Sequence, residues 1–102
     1  MQTDRKYVAQ RILQLDDDQI GEVVIRIEVP IPDDTDYKCQ YSIAWPDKTF
    51  HGHAMGVDSM QSLLLALHKI RADILNTPPA KAGSLYWLEA GDGCGLFGIP
   101  NC

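Results

Sequence analysis

The sequence predicts an α+β fold: a two-layer sandwich in which an antiparallel sheet of about five strands carries one helix on one face, in the order β-β-β-β-α-β. Three observations predict it. Apolar and polar residues alternate along four stretches of the first half of the chain. Short loops rich in Asp, Pro and Gly join those stretches, as a meander of hairpins requires. The second half opens with GVDSMQSLLLALHKI, Gly56 to Ile70, whose leucines recur at helical spacing.

Tyr7 to Leu15 reads as the first strand, although its alternation is smeared, with Val8 and Ile12 facing opposite to Tyr7, Ala9, Leu13 and Leu15. Asp16 to Gly21 is a turn, because three successive aspartates resist both helix and strand and a glycine closes it. Glu22 to Pro30 is the cleanest strand: Val23, Ile25, Ile27 and Val29 share one face, Arg26 and Glu28 the other. Pro30 and Pro32 end its ladder, since proline offers no N–H, and Pro32 to Asp36 reads as an exposed loop. The third strand, Tyr37 to Trp45, sets Tyr37, Cys39, Tyr41, Ile43 and Trp45 against Lys38, Gln40, Ser42 and Ala44. Pro46, Asp47 and Lys48 turn the chain into a fourth, Thr49 to Met55.

Clean alternation means one buried and one solvated sheet face, so something must cover the buried one. The helix supplies that cover. Asp58 is its expected N-cap and Gln61 its third residue, an Asp form of the capping box. Met60, Leu63, Leu64, Leu67, Ile70 and Ile74 form the expected core stripe, and their burial contributes on the order of 10 kcal/mol before conformational entropy is set against it. Leu65 points away from that stripe and is one apolar residue too many. Ala66 and Ala72 flank it on the expected outer half, with Lys69 and Asp73 favouring water there. Asn76-Thr77-Pro78-Pro79 stops the helix. Ser84 to Glu89 reads as a fifth, short strand before the glycine-rich tail GDGCGLFGIPNC.

A chain of 102 residues is expected to form a single domain, 1–102, with one core. Its net charge of −5 and its scattered basic residues argue against nucleic acid and anionic membranes as targets, and favour a basic partner if the partner is charged. No apolar run approaches the roughly 18 residues that span a bilayer, and the N-terminus lacks a signal-peptide pattern. Three cysteines, Cys39, Cys94 and Cys102, without framework spacing read as reduced thiols in a cytoplasm.

Residues that can carry chemistry are few. His51 and His53 leave the same face of the fourth strand, and two imidazoles so placed can bind zinc if a cysteine or aspartate joins them. The bland reading is two solvent-facing histidines, and no C-x-x-C pair supports the metal. Cys94 between two glycines can act as a nucleophile if a histidine serves as its base, against the simpler reading of a small thiol in an irregular tail. His68 lies at the edge of the helix stripe as a boundary residue. The formal G-x-G-x-x-G at Gly93 to Gly98 is followed by four residues, too few for the helix that a dinucleotide site needs. Asp16 to Asp18 and Asp33, Asp34 and Asp36 lack calcium-loop spacing and fall at opposite ends of the sheet as solvated turns.

CQYSI, GVDSMQSLLLALHKI, a Trp-bearing strand and a terminal GIP together make the chain resemble a family of small bacterial proteins of unknown function, from about Ala9 to Pro100. The resemblance implies an α+β domain and transfers no active site.

The expected function is a non-enzymatic, cytoplasmic protein-binding module, antidote-like or self-associating, with no cofactor, metal or catalytic residue. Its candidate partner surface is Leu65, Lys69 and Ala72. The alternative is a metal-binding protein or small enzyme using His51, His53 and Cys94. A third reading is a small-ligand pocket between sheet and tail, floored by Tyr86, Trp87 and Phe97.

Overall fold

Alternation on neighbouring strands places Leu13 opposite Val23 and Ile25 beside Ile43, so the pairing that hydrogen-bonds the backbone also gathers one apolar face. The computed structural model describes residues 6–18, 20–88 and 94–95. Its strands are β1 (Tyr7–Asp16), β2 (Ile20–Glu28), β3 (Ile31–Asp33), β4 (Asp36–Ala44), β5 (Thr49–Gly56) and β6 (Leu85–Tyr86). The helices are α1 (Ser59–Leu75) and the single turn α2 (Pro78–Lys81). The sheet is antiparallel throughout. β4 pairs with β2 and β3 along one edge and with β5 along the other, while β1 lies between β2 and β6.

The fold class is the one the alternation implies, with local differences. β3 overlaps the stretch Pro32 to Asp36, expected to be a loop. Ile31 to Asp33 turns back on Asp36 to Lys38 with Asp34 in the left-handed region at φ 60°, and Pro32 is tolerated because β3 is a short edge strand. Val29 lies beyond the end of β2 and is exposed. Pro78 and Pro79 do end α1, but they also open α2, since proline suits a first helical turn. The last strand is only two residues among those described. The β4–β5 hairpin closes where expected, the Trp45 N–H donating to the Lys48 carbonyl at 2.7 Å.

The core contains Leu13, Leu15, Val23, Ile25, Ile27, Cys39, Tyr41 and Ile43 from the sheet, and α1 crosses β4 and β5 above it. The helix is rotated from the expected stripe. Its buried residues are Ser62, Ala66, Ile70 and Ile74, with Leu63 and Leu67 half-buried at the border. Met60 and Leu64 are exposed, and Ala66, expected outside, is fully buried. The cause lies in β5, whose helix-facing residues include Gly52, Ala54 and Gly56. A strand with so little side chain lets the helix come close only through its own small residues, so Ser62 and Ala66 turn inward and the bulky ones move to the flank.

The cap behaves as expected. Asp58 Oδ1 accepts from the Gln61 N–H at 2.8 Å, and Gln61 Oε1 accepts from the Val57 N–H at 2.7 Å, one residue before the cap. Asp58→Ala is expected to cost about 1 kcal/mol in urea denaturation, and Asp58→Asn much less, because asparagine keeps the acceptor.

Candidate functional site

The open face of the sheet is where register puts His51 and His53, opposite Ser42 and Gln40. Both histidines are exposed. Their neighbours on that face include Arg26, whose Nε donates to Gln10 Oε1 at 2.8 Å. Cys94 lies in the buried core with Leu13 and Ile70, on the other side of the sheet. The two histidines and the cysteine are therefore not brought together. Cys94 is also disulfide-bonded, which corrects the expectation of reduced thiols and leaves it no thiolate to act as nucleophile. Cys39 is free and buried. Among the described residues no group of three or more His, Cys, Asp or Glu is arranged to hold a metal ion, and no helix is long and apolar enough to cross a membrane.

The expected pocket between sheet and tail takes a different form. The Arg11 guanidinium stacks on the Trp87 ring, 3.7 Å from its centroid, and Nη1 donates to the Gly95 carbonyl. Gly95 presses against Trp87 so closely that a Cβ there would overlap the ring. Trp87 thus anchors Gly95, and burial lowers the Arg11 pKa from its ordinary value. Tyr86 pairs with Gln14 in the β1–β6 ladder, while Phe97 and most of the Gly93 to Gly98 pattern lie outside the described residues.

Two surfaces stand out. The first is the outer half of α1. Val57 is 75 %, Met60 69 %, Leu64 51 % and Leu65 40 % exposed. The sequence pointed to one surplus leucine; the rotation of the helix adds Met60 and Leu64 to it, and Val57 is exposed just before the cap. Leu65, Lys69 and Ala72 line a groove with Met55 and His68 beside β5, where Lys69 Nζ donates to the His53 carbonyl at 2.6 Å. That bond occupies an outward-facing carbonyl of an edge strand, a device that discourages another strand from adding there.

The second is a cavity of about 390 Å³ at the carboxy end of α1. Leu15, Ile43, Trp45 and Phe50 supply apolar wall, and Asp17, Asp47 and Asp73 bring carboxylates to it. The Tyr41 hydroxyl, almost fully buried, donates to Asp73 Oδ2 at 2.6 Å. Gly52 makes this possible, since a Cβ there would stand 2.5 Å from the Tyr41 ring and hydroxyl. Asp73 had been expected on the water-facing side with Lys69. The same rotation that exposes Met60 brings Asp73 inward. Sequence reasoning missed this cavity because its walls come from the β1–β2 turn, the β4–β5 hairpin and the end of α1. The residue that could have hinted at it is Gly52, a strand glycine directly opposite a tyrosine.

Two buried groups titrate abnormally. Burial, then the bond to Asp73 and its charge, raises the Tyr41 phenol above its ordinary range. Burial, then the Glu28 charge, pushes the Cys39 thiol from 9.0 up to about 11. A group whose pKa is higher folded than unfolded stabilises fully below the unfolded value and loses that contribution as pH rises. Urea denaturation is therefore expected to show a stability loss as pH rises above 9.0 to which both groups contribute, and Cys39→Ala is expected to reduce the loss between pH 9.0 and about 11 by about 2 kcal/mol, leaving the part due to Tyr41. An equal loss in Cys39→Ala would assign the effect elsewhere.

No match to this chain was found among curated proteins or solved structures. A family model does match residues 9–97, nearly all of the chain described above, and by that match the chain belongs to the family designated Domain of unknown function (DUF6968).

Proposed function

We propose that this chain is a non-enzymatic protein-binding module that docks through the outer half of α1. The observation that carries the reading is the set Met60, Leu64 and Leu65 on one firmly capped helix, with Val57 just before the cap, four large apolar side chains held in water. Burying them against a partner contributes several kcal/mol, roughly, before the cost of association is subtracted. Ala72 is small enough to let another backbone approach beside them, and Lys69 offers a polar rim. The partner is a protein or a second copy of the chain, not nucleic acid or a membrane, since the net charge is −5 and the basic residues form no stripe. The same charge favours a basic protein and fast steering toward it, the antidote-like form of the reading. A cytoplasmic setting agrees less well with the Cys94 disulfide, because such bonds persist mainly in oxidising compartments. A metal site or small enzyme on His51, His53 and Cys94 draws no support from the geometry, which puts them on opposite faces of the sheet.

A photo-reactive residue placed at Leu64 or Leu65 is expected to cross-link to a discrete partner or to a second copy. The same probe at His51, on the open face, is expected to give none. Sedimentation distinguishes self-association from a foreign partner. Cross-linking from His51 and not from Leu64 would move the docking surface to the open face and overturn the proposal.

A further inference from the structure

We propose that the cavity at the carboxy end of α1 binds a small organic cation, an amine or guanidinium carried on a flat apolar body. Its location differs from the outer face of α1, so this site stands or falls independently of the docking surface. Four features point to that ligand. Its volume of about 390 Å³ falls in the range of small-molecule sites and is too large to need only a water or a metal ion. Trp45 and Phe50 line it, and Phe50 remains 47 % exposed, so aromatic surface is available to a cation and to a flat apolar body. Asp17, Asp47 and Asp73 face one lysine, Lys48, which leaves the lining with excess negative charge. Finally, Asn76 and Thr77 bring the negative end of the α1 dipole to the same cavity, and the last turn of α1 contains no basic residue to offset it.

Asp73 has a particular place in this arrangement. Its Oδ2 accepts the Tyr41 hydroxyl at 2.6 Å, which holds the carboxylate against the sheet while leaving further lone pairs for a ligand N–H. The cation would sit between the aromatic wall and the carboxylates, and the apolar body would lie on Leu15 and Ile43. An anion of the same size meets only Lys48. A neutral molecule gains the apolar wall but leaves the carboxylates without a new partner.

The test is a titration of the intact chain followed by amide and indole NMR shifts, with phenethylamine and benzyltrimethylammonium as probes. Phenethyl alcohol and 3-phenylpropionate serve as neutral and anionic counterparts, and acetyl-arginine methylamide represents a basic protein side chain. The amines are expected to shift the Trp45 indole and the Asn76 and Thr77 amides saturably, with the alcohol at least about tenfold weaker. Asp47→Asn, on an exposed hairpin, is expected to weaken the amines roughly three- to tenfold with the thermal melt unchanged. Equal binding of alcohol and amine, tighter binding of the carboxylate, or no saturable shift with either cation up to about 10 mM overturns the site. Tighter binding of acetyl-arginine methylamide than of either free amine overturns the small-molecule assignment in favour of a protein side chain.

Discussion

Gly56→Ala is expected to destabilise the protein by about 3 kcal/mol or more. Gly56 ends β5 and is buried under the first turn of α1. A Cβ there would overlap the backbone nitrogen of Ser62 and stand 2.9 Å from both the Gln61 carbonyl carbon and Ser62 Cα. These are backbone atoms in a capped turn, so no side-chain rotation relieves the clash. Relief requires α1 to lift, and lifting it opens the contact that buries Ser62, Ala66 and Ile70 together. Urea denaturation followed by near-ultraviolet circular dichroism measures the cost. A loss under about 0.5 kcal/mol would mean that α1 is not seated on β5.

The second large effect separates two rotations of the same helix. Ile70→Ala removes a fully buried side chain and is expected to cost about 2–5 kcal/mol. Met60→Ala and Leu64→Ala, at exposed positions, are expected to stay within about 0.5 kcal/mol, and half-buried Leu67→Ala to fall between. In the expected stripe all four residues were core, so near-equal losses would restore that rotation and contradict the one described here.

Much of the fold was legible because its information is local. The alternation in Val23, Ile25 and Ile27 and in Cys39, Tyr41 and Ile43 encodes which face is buried, and the structure buries all six. Asp58 and Gln61 mark the helix start in sequence and do so in space. The rotation of α1 was harder to read, since size alone favours Met60 and Leu64 as core. The deciding information sits in another element, in the glycines and alanine of β5 that demand small residues opposite them. That signal is present in Gly52, Ala54 and Gly56 and in the i, i+4 pair Ser62 and Ala66. It becomes visible only when the two are considered together. β3 was missed because Pro32 discourages strand, and an edge position removes that objection. The carboxy-terminal cavity is less legible still. Asp17, Asp47 and Asp73 are far apart in sequence, and only the meeting of the β1–β2 turn, the β4–β5 hairpin and the end of α1 collects them.

The central claim is that the apolar residues on the outer half of α1 serve a partner and not the core. The double variant Met60→Glu/Leu64→Glu tests it most directly, with its urea midpoint and its association with the cross-linked partner or second copy measured on the same preparation. The account predicts a midpoint close to that of the wild type and association weakened at least about tenfold. A loss of stability comparable to that of Ile70→Ala, or unchanged association, would contradict it.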